Sequence, residues 1–237
     1  MSYREMPAPA ALRDLAECVW VKEGAGSARI LPDGCMDLIE LDDELVIAGP
    51  DTVAHISEQS SVAAAGIRFR PGALPRLLGV PAHEFHGERV ELGLLRPEFI
   101  GAPLLSAATQ LMRRETSSET APWPVPQLSE VTRRFAAGAA VRAVAGEIGC
   151  SPRNLQRQSA AVYGYSPATL RRILRFRRAV RLLRSGRTAA NTAHVAGYAD
   201  QAHLSRQVRE LAGVPVTQLF SGANKSTEVP SGSRTVA

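Results

Sequence analysis

A chain of 237 residues with 45% hydrophobic residues is long enough for two modest domains, and its composition excludes wholesale disorder. No run of about 18 apolar residues occurs, and the acidic start of the chain does not fit a signal peptide, so we predict neither a membrane span nor secretion. The three cysteines are too few and too far apart for a disulfide framework or a CxxC metal site. We therefore expect a cytoplasmic protein with reduced thiols.

Short apolar runs separated by turn residues occupy the first 70 residues. They predict strands over 18–21, 28–31, 35–41, 45–48 and 65–69. Two helices are predicted after the strands, over 72–78 and 97–114. Because regularly spaced short strands favour a small sandwich or barrel, residues 1–116 are predicted to form a mainly β domain with helices.

The segment SSETAPWPVPQ, residues 117–127, predicts a linker because it has three prolines and no periodicity. The charge changes sign at this segment. Residues 1–127 contain 11 Lys and Arg against 18 Asp and Glu, whereas residues 128–237 contain 17 against 5. This asymmetry indicates an acidic module joined to one that binds a polyanion. Residues 223–237 have the composition of a disordered tail.

The helical period dominates after the linker. Val141, Val144, Ala145 and Ile148 are spaced as one apolar face of a helix. Further helices follow, and the longest, from Pro167, is rich in arginine. The predicted N-caps are Ser151, Ser166 and Asp200, and the predicted helix ends are Gly149, Gly164 and Gly197.

One pattern occurs twice in this half, 49 residues apart. Leu-x-Arg followed by six residues and a glycine stands at Leu155, Arg157 and Gly164, and again at Leu204, Arg206 and Gly213. Ala-x-x-x-Gly precedes each copy. A small residue lets two helices cross closely, and glycine allows the turn between them, so each copy predicts a helix-turn-helix unit. The second helix of such a unit enters the DNA major groove.

The polar faces of the two second helices predict the DNA contacts, because Arg and Gln can form paired hydrogen bonds with guanine and adenine. The predicted base contacts are Arg153, Gln156, Arg157, Gln201, Ala202, His203, Ser205 and Arg206. The predicted phosphate contacts are Ser151, Arg171, Arg172, Arg175, Arg178 and Arg209. For Arg157 and Arg206, whose placement is identical, a scaffold or phosphate role fits equally well.

The C-terminal motifs SPRNLQR, GYSP and GYADQAHLSRQV followed by LAGV, with the Arg-rich helix between them, resemble the AraC/XylS family of bacterial transcription regulators. The match covers residues 129–222. It implies an α+β chain whose all-α domain, 128–222, holds two helix-turn-helix units joined by a long helix. It also implies a regulator that binds a specific double-stranded operator or promoter at the nucleoid, with no catalysis, cofactor or metal.

The N-terminal part resembles regulatory domains attached to some family members. By analogy with other sensory domains of the family, it is expected to be a cupin-like sensing or oligomerisation domain. RNA polymerase, a small-molecule effector and a second copy of the chain are considered as further partners.

Other interpretations remain open. The chain could be a non-specific nucleic-acid or architectural binder, or an N-terminal enzyme localised to DNA, although no Ser-His-Asp order, P-loop or GxGxxG motif is present. Cys35 could be a sensor or a buried strand cysteine. His83 and His86 lack a third metal ligand. Arg68 and Arg70, which flank Phe69, could face a carboxylate ligand or pair with the acidic turn 42–44, and the structural pairing is favoured.

Overall fold

The computed structural model describes residues 2–24, 26–59, 63–219 and 228–229. Most of the predicted tail, 223–237, lies outside these residues. The structure confirms the α+β class, with a mainly β N-terminal region and an all-helical C-terminal region.

Six antiparallel strands form the larger N-terminal sheet, in the order β1-β2-β7-β4-β5-β8. A smaller sheet has the order β6-β3-β9, and its two-residue strand β9 runs parallel to β3. The strands are β1 Ser2–Pro7, β2 Ala16–Glu23, β3 Gly26–Ile30, β4 Met36–Leu41, β5 Glu44–Ala48, β6 His55–Gln59, β7 Ala63–Phe69, β8 Arg89–Glu91 and β9 Glu228–Val229. All five predicted strands are therefore present. The strands β1, β6, β8 and β9 were not predicted.

The two faces of the larger sheet serve different purposes. Because side chains alternate along a strand, β4 points Met36 and Leu38 to one face and Asp37 and Ile39 to the other. The first face packs against helices in the main core of this region, together with Ile67 from β7. The second face lines a cavity that residues of the smaller sheet also border.

The helices of the N-terminal region are short: α1 Ala73–Leu78, α2 Leu92–Leu95 and α3 Leu104–Leu111. The predicted continuous helix over 97–114 is wrong. A 3-10 turn spans Pro97–Phe99, and Gly101 adopts φ +69°, a left-handed conformation that a helix interior does not allow. Pro103 then precedes α3, whose apolar stripe packs Leu104 and Leu111 into the core.

Seven helices follow: α4 Val125–Ala136, α5 Val141–Glu147, α6 Pro152–Tyr163, α7 Pro167–Arg184, α8 Ala189–Ala196, α9 Gln201–Ala212 and α10 Val216–Leu219. The long helix α7 contributes to two separate cores. Leu170 and Ile173 pack with α4, α5 and α6, whereas Phe176 and Val180 pack with α8 and α9. Helix α7 therefore joins two helical units into one body.

The predicted linker is packed against the helical region. Trp123 is buried in the core that α4, α5 and α6 share, and Thr120 is also buried. Helix α4 begins at Val125, so the last residues of the segment are helical. Among the residues that the structure describes, no helix is both long and apolar enough to cross a membrane.

Candidate DNA-binding surface and N-terminal cavity

The first helix-turn-helix unit consists of α5 and α6. Gly149, with φ +70°, makes the turn between them. The hydroxyl oxygen of Ser151 caps α6 by accepting a hydrogen bond from the backbone N–H of Asn154 at 3.2 Å. Leu155 is completely buried and holds the helix in the core. The side chains left on the exposed face are Arg153, Gln156 and Arg157.

The second unit repeats this construction with α8 and α9. Gly197 turns the chain at φ +79°, and a carboxylate oxygen of Asp200 accepts a hydrogen bond from the backbone N–H of His203 at 2.6 Å. Leu204 is completely buried, as its counterpart is in the first unit. The exposed side chains of α9 include Gln201, Ala202, Arg206 and Arg209, and Ser205 and His203 are half-buried.

Two predicted base contacts already have partners inside the protein. A guanidinium N–H of Arg157 donates to the side-chain oxygen of Asn154 at 2.8 Å. The His203 ring stands edge-on to Tyr198, with 5.2 Å between ring centroids, and its Nδ1 accepts from the backbone N–H of Ala199. These contacts hold side chains near the N-terminal ends of α6 and α9. The side chains of Arg153, Gln156 and Arg206 remain exposed to solvent.

The arginines of α7 tie the helices together. Arg171 donates to the carbonyl of Gly138 at 2.7 Å, and Arg172 pairs with Glu210 at 3.2 Å. Arg175 lies 4.5 Å from the centre of the Tyr198 ring and donates two hydrogen bonds to Gln207. Arg178, one turn further along, is exposed. Their contact with phosphates stays a prediction, and for Arg175 it would compete with internal contacts.

A cavity of about 400 Å³ lies in the N-terminal region, within the size range of small-molecule sites. Its apolar wall includes Ile30, Leu31, Ile39 and Val46, from both sheets. Its polar wall includes Tyr3, Trp20, Lys22, Asp37, Asp51 and Arg68. An apolar enclosure with a few polar groups can hold and orient a small organic molecule.

Arg68 is the centre of the polar wall. Its guanidinium binds Asp37 at 3.2 Å and Glu5 at 3.1 Å, and Asp33 lies at 3.7 Å. Burial lowers the pKa of Arg68, but Asp37 and the other acidic groups raise it by a larger amount. The pKa therefore lies well above its ordinary value, and the guanidinium stays charged. Arg68 therefore pairs with protein carboxylates, but these carboxylates lie outside the predicted turn 42–44. Arg70 instead donates to the carbonyl of Arg13.

A helix-turn-helix domain family matches residues 144–221, which contain both units and the long helix that joins them. Two such units bridged by one helix are the arrangement that the sequence resemblance implies. The chain therefore carries a helix-turn-helix domain of the kind that its resemblance to the AraC/XylS family implies. Its C-terminal region is the DNA-binding domain of a transcription regulator. Residues 4–91 match a second family, a domain of unknown function (DUF6597).

Among solved structures, the chain is similar to ToxT from Vibrio cholerae O395, with 11% identity, a TM-score of 0.45, and coverage of 86% of this chain and 97% of ToxT. ToxT from strain SCE256 with a bound unsaturated fatty acid gives 10% identity and a TM-score of 0.43, covering 87% of this chain and 94% of that one. No curated protein matches the chain significantly.

The smaller sheet and the chain beside it contact the C-terminal end of α9. Arg29 of β3 donates to the carbonyl of Ala212 at 2.9 Å, and the backbone N–H of Ala54 donates to the carbonyl of Leu211 at 2.7 Å. Leu31, which lines the cavity, is also part of the core formed by α7, α8 and α9. No local sequence signal predicts these contacts, because the partners are far apart in the chain.

The remaining sequence candidates also contact the helical region, at α6, α7 and the turn between them. The Cys35 sulfur accepts a hydrogen bond from Arg177 of α7, and burial raises the pKa of this thiol well above its ordinary value. His83 contacts the carbonyl of Ala160, and the His86 ring meets Tyr165 edge-on. In the part of the chain that the structure describes, no three His, Cys, Asp or Glu side chains gather as metal ligands.

Proposed function

We propose that the chain is a sequence-specific regulator that inserts α6 and α9 into successive major grooves on one face of double-stranded DNA. The observation that carries this proposal is the duplicated unit, in which each recognition helix buries one leucine and exposes polar side chains. Successive major grooves recur about every 34 Å, so the two helices are expected to be about that far apart.

We assign side chains to base or phosphate contacts according to their solvent exposure and position. Base reading is assigned to the residues of α6 and α9 predicted above, chiefly Arg153, Gln156 and Gln201, because these side chains are exposed and can pair with base edges. Phosphate binding is assigned to Ser151, Arg209 and the α7 arginines. If 5–7 phosphates are neutralised, log K falls against log salt with a slope of roughly −5 to −6.

The test is a selection of bound sequences from a randomised DNA pool, with full-length protein and two variants. Arg153→Ala is expected to cost about 1–3 kcal/mol of binding and to relax preference at particular base positions. Arg113→Ala is the matched control, because this exposed arginine lies in the N-terminal region. Unchanged base preference in Arg153→Ala contradicts its assignment. A specificity ratio near one for the unaltered protein overturns the proposal in favour of non-specific binding.

We further propose that the N-terminal region modulates DNA binding by holding the C-terminal end of α9. The support is that β3 and the chain around Ala54 cap the last carbonyls of this recognition helix, and Leu31 packs against it from the cavity. A molecule that enters the cavity meets Leu31 and can shift this cap. The effector therefore acts through β3.

Arg29→Ala tests the modulation. A charged hydrogen bond of this kind contributes about 1.5–3 kcal/mol, and its loss frees the end of α9 from the smaller sheet. We expect changed affinity for the selected DNA in the full-length protein. Lys cannot reproduce the planar guanidinium but keeps the charge, so Arg29→Lys serves as the control for charge alone. Equal affinity in the unaltered protein and both variants contradicts the coupling.

The proposal includes the other partners considered from the sequence. These partners are RNA polymerase, through which a promoter-bound regulator acts on transcription, and a second copy of the chain. We place the protein in the cytoplasm, at the nucleoid, and assign it no catalytic activity.

A further inference from the structure

The charge around the N-terminal cavity is not balanced. Five of its lining side chains are carboxylic acids and three are bases. The acids that line it are Asp33, Asp37, Glu44, Asp51 and Glu91, and the bases are Lys22, Arg68 and Arg89. Glu44, Glu91 and Arg89 are exposed, so the less exposed groups are Asp33, Asp37 and Asp51 against Lys22 and Arg68. An excess of buried acid is costly unless a positive group compensates it.

The imbalance is strongest around Arg68. One guanidinium faces three carboxylates, Glu5, Asp33 and Asp37, and all four side chains are at most 13% exposed. Burial raises the pKa of Glu5 and of Asp37, while Arg68 partly opposes the shift. A further cation placed beside these carboxylates therefore gains more than it would in water.

Two aromatic rings form the wall next to these acids. Tyr3 and Trp20 stand 5.9 Å apart between ring centroids, and the indole N–H of Trp20 donates to Asp37 at 2.8 Å. The Trp20 ring lies over Gly66 of β7, where an added Cβ would fall 2.3 Å from the indole. Only glycine leaves room for the ring in this position. Aromatic faces attract organic cations, most strongly where water is excluded.

We propose that the cavity binds an organic cation, an ammonium group on an apolar body. The ammonium lies beside Asp37 and against the faces of Tyr3 and Trp20 that line the cavity, and the apolar body contacts Ile39 and Val46. An anionic head group would instead face the carboxylates, because Arg68 is already bound to three of them. This inference rests on the proposed function in one respect, because it takes the cavity to be the effector site.

The test compares three probes of nearly equal shape and different charge: 2-phenylethylammonium, 2-phenylethanol and phenylacetate. Titration calorimetry on the full chain is expected to give at least about tenfold tighter binding for the ammonium than for the alcohol, and weaker binding still for the acid. Asp37→Asn is expected to lose about tenfold of the ammonium affinity. Asp14→Asn, an exposed change in the same region and outside the cavity, is expected to lose none.

Because Asp37→Asn removes a buried partner of Arg68, its folding is checked by thermal unfolding, and Asp51→Asn provides a second, milder loss of cavity charge. Equal or tighter binding of the alcohol or the acid overturns the proposal. So does the absence of heat with the ammonium at millimolar concentration, or unchanged ammonium affinity in both cavity variants. DNA selection on the same samples separates the two ideas: selective DNA binding without ammonium binding refutes only the ligand class. Ammonium binding without selective DNA binding refutes only the regulator.

Discussion

Gly164→Ala tests how tightly the N-terminal region is packed against the first recognition helix. Gly164 ends α6 with φ +76°, and its N–H donates to the carbonyl of Ala160. A Cβ at this position would lie 2.6 Å from Pro50 and 3.2 Å from the carbonyl oxygen of Ala82, both in the N-terminal region. The substitution therefore combines backbone strain with a collision between the two regions.

Gly213→Ala is the matched control because Gly213 occupies the same position in the second unit. It ends α9 with φ +72°, but its Cβ would meet only the end of the Arg29 side chain, at 3.5 Å. The left-handed conformation costs alanine about 1–2 kcal/mol at either site. Overpacking against backbone adds about 1–3 kcal/mol at Gly164 alone.

The assay is equilibrium unfolding in urea, followed by tryptophan fluorescence, with Trp20 and Trp123 reporting from the two regions. Gly164→Ala is expected to lose roughly 2–5 kcal/mol of unfolding free energy, and Gly213→Ala only about 1–2 kcal/mol. Equal losses in the two variants would refute the reasoning, because they would mean that the regions are not in contact at Gly164.

Two further predictions concern charge. Burial raises the pKa of Asp51 from 3.8 to about 6. The folded protein then holds this proton more tightly than the unfolded chain, so its stability falls as pH rises from about 4 to 6. Asp51→Asn should therefore be more stable than the unaltered protein above pH 6, by up to about 3 kcal/mol. Urea titrations should show no difference between the two proteins below about pH 4. Arg175→Ala should lose about 1–3 kcal/mol of stability through its contacts with Tyr198 and Gln207. Arg178→Ala should leave stability unchanged and reduce the salt slope of DNA binding by about 1. Unchanged melting in Arg175→Ala would contradict its internal role, and an unchanged salt slope in Arg178→Ala would contradict its phosphate role.

Local patterns predicted the helical half well because its signals are short in range. Ser151 and Asp200 cap their helices as expected, and Gly149, Gly164 and Gly197 all take the left-handed conformation predicted for helix ends. Each of these features depends on hydrogen bonds within about four residues. The N-terminal half was harder. β1 and β6 have exposed or interrupted apolar patterns, and their pairing partners lie elsewhere in the chain.

The failure over 97–114 has a different cause, because the residues that divide this segment are local to it. An apolar stripe is compatible with one long helix, but Gly101 and Pro103 divide it, and packing of Leu104 and Leu111 against the larger sheet positions only the second part. The position of Arg68 illustrates a different limit. Its residue type indicated an ion pair, and the acidic turn 42–44 was the predicted partner. The actual partner Asp37 lies directly opposite Arg68 on the neighbouring strand β4.

The amino-acid sequence by itself determined the duplicated helical units, their caps and turns, and the leucines that hold each recognition helix, because these depend on spacing along one chain segment. Only the tertiary structure decided what surrounds them. It brought Arg29 to the end of α9 and surrounded Arg68 with three carboxylates. It also packed the Arg175 guanidinium over the ring of Tyr198. Each of these contacts joins residues that are distant in sequence, so their energy comes from the packing of whole sheets and helices and leaves no local pattern to read.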